Sequence, residues 1–148
     1  MTYIPKLSVR LVKEGKMKYS VDGPLNSPDV IYRQFAKLFK NKMQEEMVVV
    51  FLNSQLMPVG MQVAGVGSGQ TCIVDKSAIF RTAILSGAYG IIMMHNHPSG
   101  STAESEQDID ITKEMIKVGK LLSIPVLDHI IVTDTSYNSM RESEKVRF

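Results

Sequence analysis

The sequence predicts an α/β domain, a mixed central sheet flanked by helices, on three observations. Apolar, β-branched-rich runs alternate through the middle of the chain with segments whose apolar residues recur at helical spacing. The 148 residues suffice for one domain with its own core, and 44% hydrophobic with 22% charged residues is ordinary for a globular protein. Glycine, proline and asparagine clusters punctuate the runs at short intervals, with no internal repeat and no low-complexity tract.

The first elements read as a small β unit. Leu7, Val9 and Leu11 alternate with polar residues, Glu14-Gly15-Lys16 turns the chain, and Met17, Tyr19 and Val21 alternate again. Ser27-Pro28-Asp29 then starts a helix with a capping hydroxyl, a proline and an acid. Its apolar stripe runs through Val30, Ile31, Phe35, Leu38 and Phe39 and ends near Asn41. Met47 to Leu52 is a buried strand, and Leu56 to Ala64 returns as a second, interrupted by Pro58. Gly65 to Gln70 lacks the lysine of a phosphate-binding loop and reads as a tight connection between strands. Lys76 to Ser86 is helical, with Gly87 as its stop, and Tyr89 to Met94 is the next strand. A helix from Ser105 to about Leu122 and a strand from Pro125 to Val132 follow. The polar segment from Thr133 to Phe148 is expected to be at most partly ordered beyond Met140.

Several function classes fall away on composition. A formal charge of +2 gives no concentrated basic face for nucleic acid. Lys37, Lys40 and Lys42 are followed at once by Glu45 and Glu46, which reads as a solvated helix end. The lone cysteine, Cys72, excludes an internal disulfide or a thiolate-rich zinc site, and in Thr71-Cys72-Ile73-Val74 it reads as a buried, inert thiol on a strand. No run approaches membrane-spanning length and no signal peptide is evident, so a cytoplasmic protein is expected.

The chemistry lies in His95-Asn96-His97-Pro98, followed by Ser105 and Asp108. Side chains alternate along a strand, so His95 and His97 point the same way. Two imidazoles at a strand end are a ready pair of ligands for Zn²⁺. Asp108 could complete a three-ligand set with a fourth position left for water, the mark of a catalytic site. A plainer reading stands beside it, because Ser105 and Asp108 also have the spacing of a helix capping box. Glu45 and Glu46 precede a strongly apolar strand, an unusual place for two acids unless one serves a polar site as general base. The Ser105 hydroxyl could steady an oxyanion. His129, in an apolar run, reads first as a core histidine and second as support for the site.

His95-x-His97-Pro98 with Ser105-x-x-Asp108 resembles the signature of the JAMM metallopeptidases, the MPN/JAB domain. His95 to Gly100, Leu127-Asp128-His129 and Val74-Asp75 are similar in particular to its RadC-like branch. The resemblance covers about residues 45 to 136. It implies a cytidine-deaminase-like fold, zinc held by His95, His97 and Asp108, and Ser105 as oxyanion helper. Glu45 matches the position of the general base; Glu46 would face the opposite side of the strand. Residues 1–44 would then be a β unit and helix belonging to, or appended to, a RadC-like domain over 45–148. Thr102-Ala103-Glu104 departs from the proline-rich approach to the motif serine in that branch. The helix-hairpin-helix region that precedes the domain in longer members is missing here, which weakens any expectation of DNA binding.

The expected function is therefore zinc-dependent hydrolysis of a peptide or isopeptide bond, with a peptide or protein as partner and the oligomeric state open. The alternatives are a DNA-repair-associated or nucleic-acid-binding protein, and a non-catalytic MPN-like interaction module. A nuclease of the HNH type would need its histidines in a ββα unit. A zinc deaminase would need a P-C-x-x-C motif that one cysteine cannot supply.

Overall fold

A computed structural model describes residues 3–67 and 73–148. Five strands form one sheet: β1 (Glu46–Leu52), β2 (Pro58–Val66), β3 (Gly90–Asn96), β4 (Val126–Val132) and β5 (Tyr137–Ser139), in the order β2-β1-β3-β4-β5. Only the β3–β4 pairing is parallel, as the intervening helix requires; the other pairings are antiparallel. Three α-helices cover the faces: α1 (Pro28–Phe35), continued by a 3-10 turn, Ala36–Leu38, then α2 (Lys76–Leu85) and α3 (Glu106–Leu122). This is the α/β architecture with a mixed sheet expected from the sequence.

The core has two layers because β1 and β3 are apolar on both faces. Val48, Val50, Ile92 and Met94 point toward α1, where Ile31, Phe35 and Phe39 meet them. Met47, Val49, Ile91 and Met93 point the other way, toward Ile79 and Phe80 of α2 and Met115 and Ile116 of α3. Residues 95 and 97 share the parity of the second set, so the histidine pair emerges on the α3 side of the sheet. Gly119 lets α3 settle against the chain entering β4: a Cβ there would lie 2.5 Å from the Ile124 carbonyl oxygen.

Caps and turns follow the sequence. The Ser27 hydroxyl accepts from the Val30 N–H, the Asp75 carboxylate accepts from Ala78, and Gly87 at φ +66° follows the end of α2. Pro58 opens β2 instead of interrupting it, since an edge strand tolerates proline at its first residue.

Three expectations are corrected. Among the described residues, none of 3–27 before α1 forms a strand, and Leu7 and Val9 stand 84% and 66% exposed. The alternation there finds no neighbouring strand to pair with. What holds this stretch lies at its end: the Gln34 amide donates to the Lys18 carbonyl and accepts from the Ser20 N–H, and the buried Leu25 donates its N–H to the Leu56 carbonyl. Secondly, Ile73 and Val74, read as part of a strand, lie in no strand, and Ile73 is 83% exposed. The readings of Cys72 and of most of the glycine-rich loop lie outside the described residues. Thirdly, the C-terminal segment is built into the fold. β5 pairs with β4, Met140 and Val146 are buried, and Lys145 pairs with Glu104 at 2.8 Å. Its few apolar residues fall where α3 and β4 leave core uncovered, which composition does not reveal.

Among the described residues, no helix is long and apolar enough to cross a membrane.

Candidate metal centre

β3 ends where the ladder does, and the turn after it is shaped around His97. The His97 N–H donates to the Val132 carbonyl at 3.1 Å, holding its backbone to β4. Gly100 N–H then donates to the His97 carbonyl at 3.0 Å across Pro98-Ser99, and Gly100 adopts φ +81°, which glycine takes without strain. The chain therefore folds back so that the Ser101 carbonyl lies 2.9 Å from His97 Nδ1. A carbonyl can only accept, so Nδ1 carries a proton, and the neutral form of the ring presents its lone pair at Nε2.

Asp108 arrives from the other side on the first turn of α3. Ser105 caps that helix: its hydroxyl accepts from the Asp108 N–H at 3.0 Å, and the Asp108 carboxylate accepts from the Ser105 N–H at 2.8 Å. The capping and ligand readings of Asp108 thus coexist. The box fixes the carboxylate so that Oδ1 lies 3.0 Å from His95 Nε2 and Oδ2 lies 3.3 Å from His97 Nε2. His95 Nε2 and His97 Nε2 are 2.9 Å apart. One ligand atom from each of the three residues falls within 4.8 Å of the others, a spacing a single ion can bridge.

The group lies in an open cleft of about 760 Å³ whose lining includes Glu45, Ser105, Asp110 and Glu114. The structure brings Glu45 to this cleft and takes Glu46 elsewhere. Met47 pairs directly with His95, and continuing that antiparallel register sets Glu45 across from His97 on the same face. Glu46 has the opposite parity, and its carboxylate pairs with Lys42 at 3.0 Å. Its N–H donates to Asn96 Oδ1 at 2.8 Å, while Asn96 Nδ2 donates to the Gln44 carbonyl at 3.0 Å. The asparagine between the two histidines is therefore the clasp that holds the Glu45 segment against β3.

The electrostatics follow from this crowding. The Asp108 hydrogen bond raises the pKa of His97, burial opposes it, and the Ser101 carbonyl and the charges of Asp108 and Glu45 add to the rise. Burial works to raise the Asp108 pKa too, but hydrogen bonds from His95 and His97 outweigh it and hold the carboxyl far below the carboxylate range. In the ion-free protein the His97 contribution to stability is complete below the ordinary value of 6.5 and is lost as pH rises through the raised one. That of Asp108 is present above its ordinary 3.8 and is lost as pH falls through the lowered value. A cation must displace the His97 proton, so its affinity runs the other way. Zinc binding is expected to strengthen by up to about tenfold per pH unit over the range in which His97 loses its proton. Titration at both ends of that range checks this, and equal affinities would mean that no proton is displaced.

Two features go beyond the first reading of the sequence: the supporting role of His129, which stood second there, and a tether of the loop before α3. His129 is fully buried, as a core histidine would be, yet its Nε2 lies 2.7 Å from His95 Nδ1 and its Nδ1 meets the Thr112 hydroxyl. The signals were present: His129 shares the β4 face of Ile131, and Thr112 follows Asp108 by one helical turn. The second is the tether of the loop before α3. Asn138 Nδ2 donates to the Thr102 carbonyl at 2.9 Å, and Lys145 holds Glu104. Burial favours a neutral Glu104, but Lys145 and neighbouring donors bring its pKa down to about 2. An ion pair thus anchors the stretch where the RadC-like pattern has prolines.

Comparison with known proteins agrees with the site. A family model described as RadC-like JAB domain matches residues 25–145. A UPF0758 protein of Carboxydothermus hydrogenoformans is 37% identical over 115 residues, which is 78% of this chain and 51% of the relative. UPF0758 proteins of Bacillus mycoides and Methanosarcina acetivorans are 34% and 33% identical, over 93% and 82% of this chain and 60% and 53% of theirs. The chain thus spans little more than half the length of the curated relatives it matches.

Proposed function

Because this chain belongs to the RadC-like JAB domain family, we propose that it is a zinc-dependent hydrolase of peptide or isopeptide bonds. The observation that carries the reading is the convergence of His95 Nε2, His97 Nε2 and the Asp108 carboxylate in an open cleft. Two imidazole nitrogens and one carboxylate suit Zn²⁺, and three protein ligands leave a coordination position for a reactant. When bound, the ion would supply a water acidified to near neutrality and polarise the scissile carbonyl.

The protein's own groups do the rest. Glu45 takes the proton of the attacking water and returns it to the leaving amine. The Ser105 oxygen accepts from Asp108, so its own proton is left to donate to the developing oxyanion, an interaction typically worth about 2.7–4 kcal/mol. Glu45 and Asp110 on the cleft wall argue against a nucleic-acid backbone, whose phosphates they would repel, and for a peptide or protein substrate. A cytoplasmic location, in keeping with a single cysteine, belongs to the same proposal.

Metal analysis of the purified protein combined with a peptide-library cleavage assay tests this reading. We expect about one zinc per chain, and cleavage that chelation abolishes and zinc restores. Stoichiometric zinc without cleavage of any peptide or isopeptide substrate would leave a metal-binding interaction module as the better description.

A further inference from the structure

We propose that Thr112 and His129 are positioning residues that fix the ring of His95 so that its Nε2 lone pair faces the centre. The inference rests on the metal reading above and concerns how this chain prepares one of its ligands.

Three buried groups stand in line behind the site. His95 is 2% exposed, and His129 and Thr112 are fully buried. They come from β3, β4 and α3, so no local sequence constraint brings them together. His95 Nδ1 lies 2.7 Å from His129 Nε2, His129 Nδ1 meets Thr112 Oγ1, and Thr112 Oγ1 meets the carbonyl oxygen of Asp108. The line therefore begins at one ligand and ends on the backbone of another.

Its polarity can be worked out from the ends. A cation at His95 Nε2 needs a lone pair there, so the ring proton must sit on Nδ1. His95 Nδ1–H then donates to His129 Nε2, which leaves the proton of the neutral His129 ring on Nδ1. His129 Nδ1–H donates to Thr112 Oγ1, and the threonine hydroxyl donates to the Asp108 carbonyl. Every donor in this buried line has an acceptor, and the line closes on a carbonyl oxygen, which can only accept. The reverse polarity would leave a proton on His95 Nε2, where it blocks the ligand atom. His129 is fully buried, so bulk solvent does not stand in for Thr112 as its partner. Among the described residues, the one other hydrogen-bond neighbour of that hydroxyl is Met140 Sδ at 3.6 Å, a weak acceptor that cannot receive and return a proton in this way.

Thr112→Val tests the inference, because it removes the hydroxyl while keeping a branched side chain. In the ion-binding polarity the His129 Nδ1–H then has no acceptor. Chelator-competition titration is expected to show zinc affinity weakened by about 10–100-fold, the range typical of groups that orient a metal ligand. Thr112→Ser keeps the hydroxyl and should restore the affinity close to wild type. In the zinc-loaded wild type, nitrogen chemical shifts of the His95 ring should place its proton on Nδ1. A merely structural role would lower the unfolding temperature of ion-free Thr112→Val and leave zinc affinity unchanged, which overturns the proposal. A proton on Nε2 of zinc-loaded His95 overturns it equally. Failure of the metal reading looks different: wild-type protein would take up no zinc, or His97→Ala would bind it as well as wild type.

Discussion

Glu45→Gln is expected to slow cleavage by about 10²–10⁴-fold, the usual contribution of a positioned acid–base group, while zinc content stays at the wild-type level. The glutamine keeps the length and polarity of the side chain and loses only the ability to accept and return a proton. Ligand geometry should survive, because the Glu45 segment is held by its backbone. Gly67 N–H donates to the Glu45 carbonyl at 2.7 Å, and the Asn96 amide bonds to Gln44 and Glu46 on either side. Glu46→Gln is the matched control. Its carboxylate pairs with Lys42 on the α1 side of the sheet, a partly exposed pair of the kind worth about 1 kcal/mol or less. Turnover should therefore be near wild type in Glu46→Gln. Loss of activity in that variant with retention in Glu45→Gln would reverse the assignment.

That assignment illustrates which parts of the site the sequence could settle. Strand parity alone separates Glu45 from Glu46 and puts His95 and His97 on one side, because period-two alternation is local and strict. The pairing of α3 with the histidines was legible through Ser105-x-x-Asp108, since a capping box fixes where a helix begins and which way its first carboxylate turns. What stayed hidden depends on contacts between elements distant in sequence. Thr112 and His129 meet His95 only after β4 is laid parallel to β3, and no spacing rule states that register. The clasp formed by Asn96 is equally silent in the sequence, because its partners, Gln44 and Glu46, lie some fifty positions away at the entry to the neighbouring strand. The same limit explains the errors at the ends. Residues 7–11 carry a strand's alternation but find no neighbour, whereas the polar C-terminal segment finds one in β4 and buries Met140 and Val146. Alternation describes a face, and whether that face is covered is decided by the rest of the molecule.

Asp108→Ala should separate the two roles that meet in one carboxylate. As a cap, Asp108 accepts from the Ser105 N–H at 2.8 Å, so its removal is expected to destabilise the ion-free protein by about 1 kcal/mol. As a ligand it supplies the only charged donor opposite two imidazoles, and its loss leaves two nitrogens that hold an ion poorly. An ion that binds only the native state adds roughly 4 kcal/mol of stability at a thousandfold excess over its dissociation constant. Wild-type protein should show a gain of that order on urea denaturation with zinc, and Asp108→Ala should show none. Asp108→Asn retains an acceptor for the Ser105 N–H and so should recover most of the ion-free stability without recovering the response to zinc. Removing the carboxylate also frees the imidazoles: His97 loses the hydrogen bond that chiefly raises its pKa, which should fall back toward its ordinary value. If Asp108→Ala lost only the capping contribution and still gained stability from zinc, the ion would be held by some other set of atoms and the three-ligand centre would have to be abandoned.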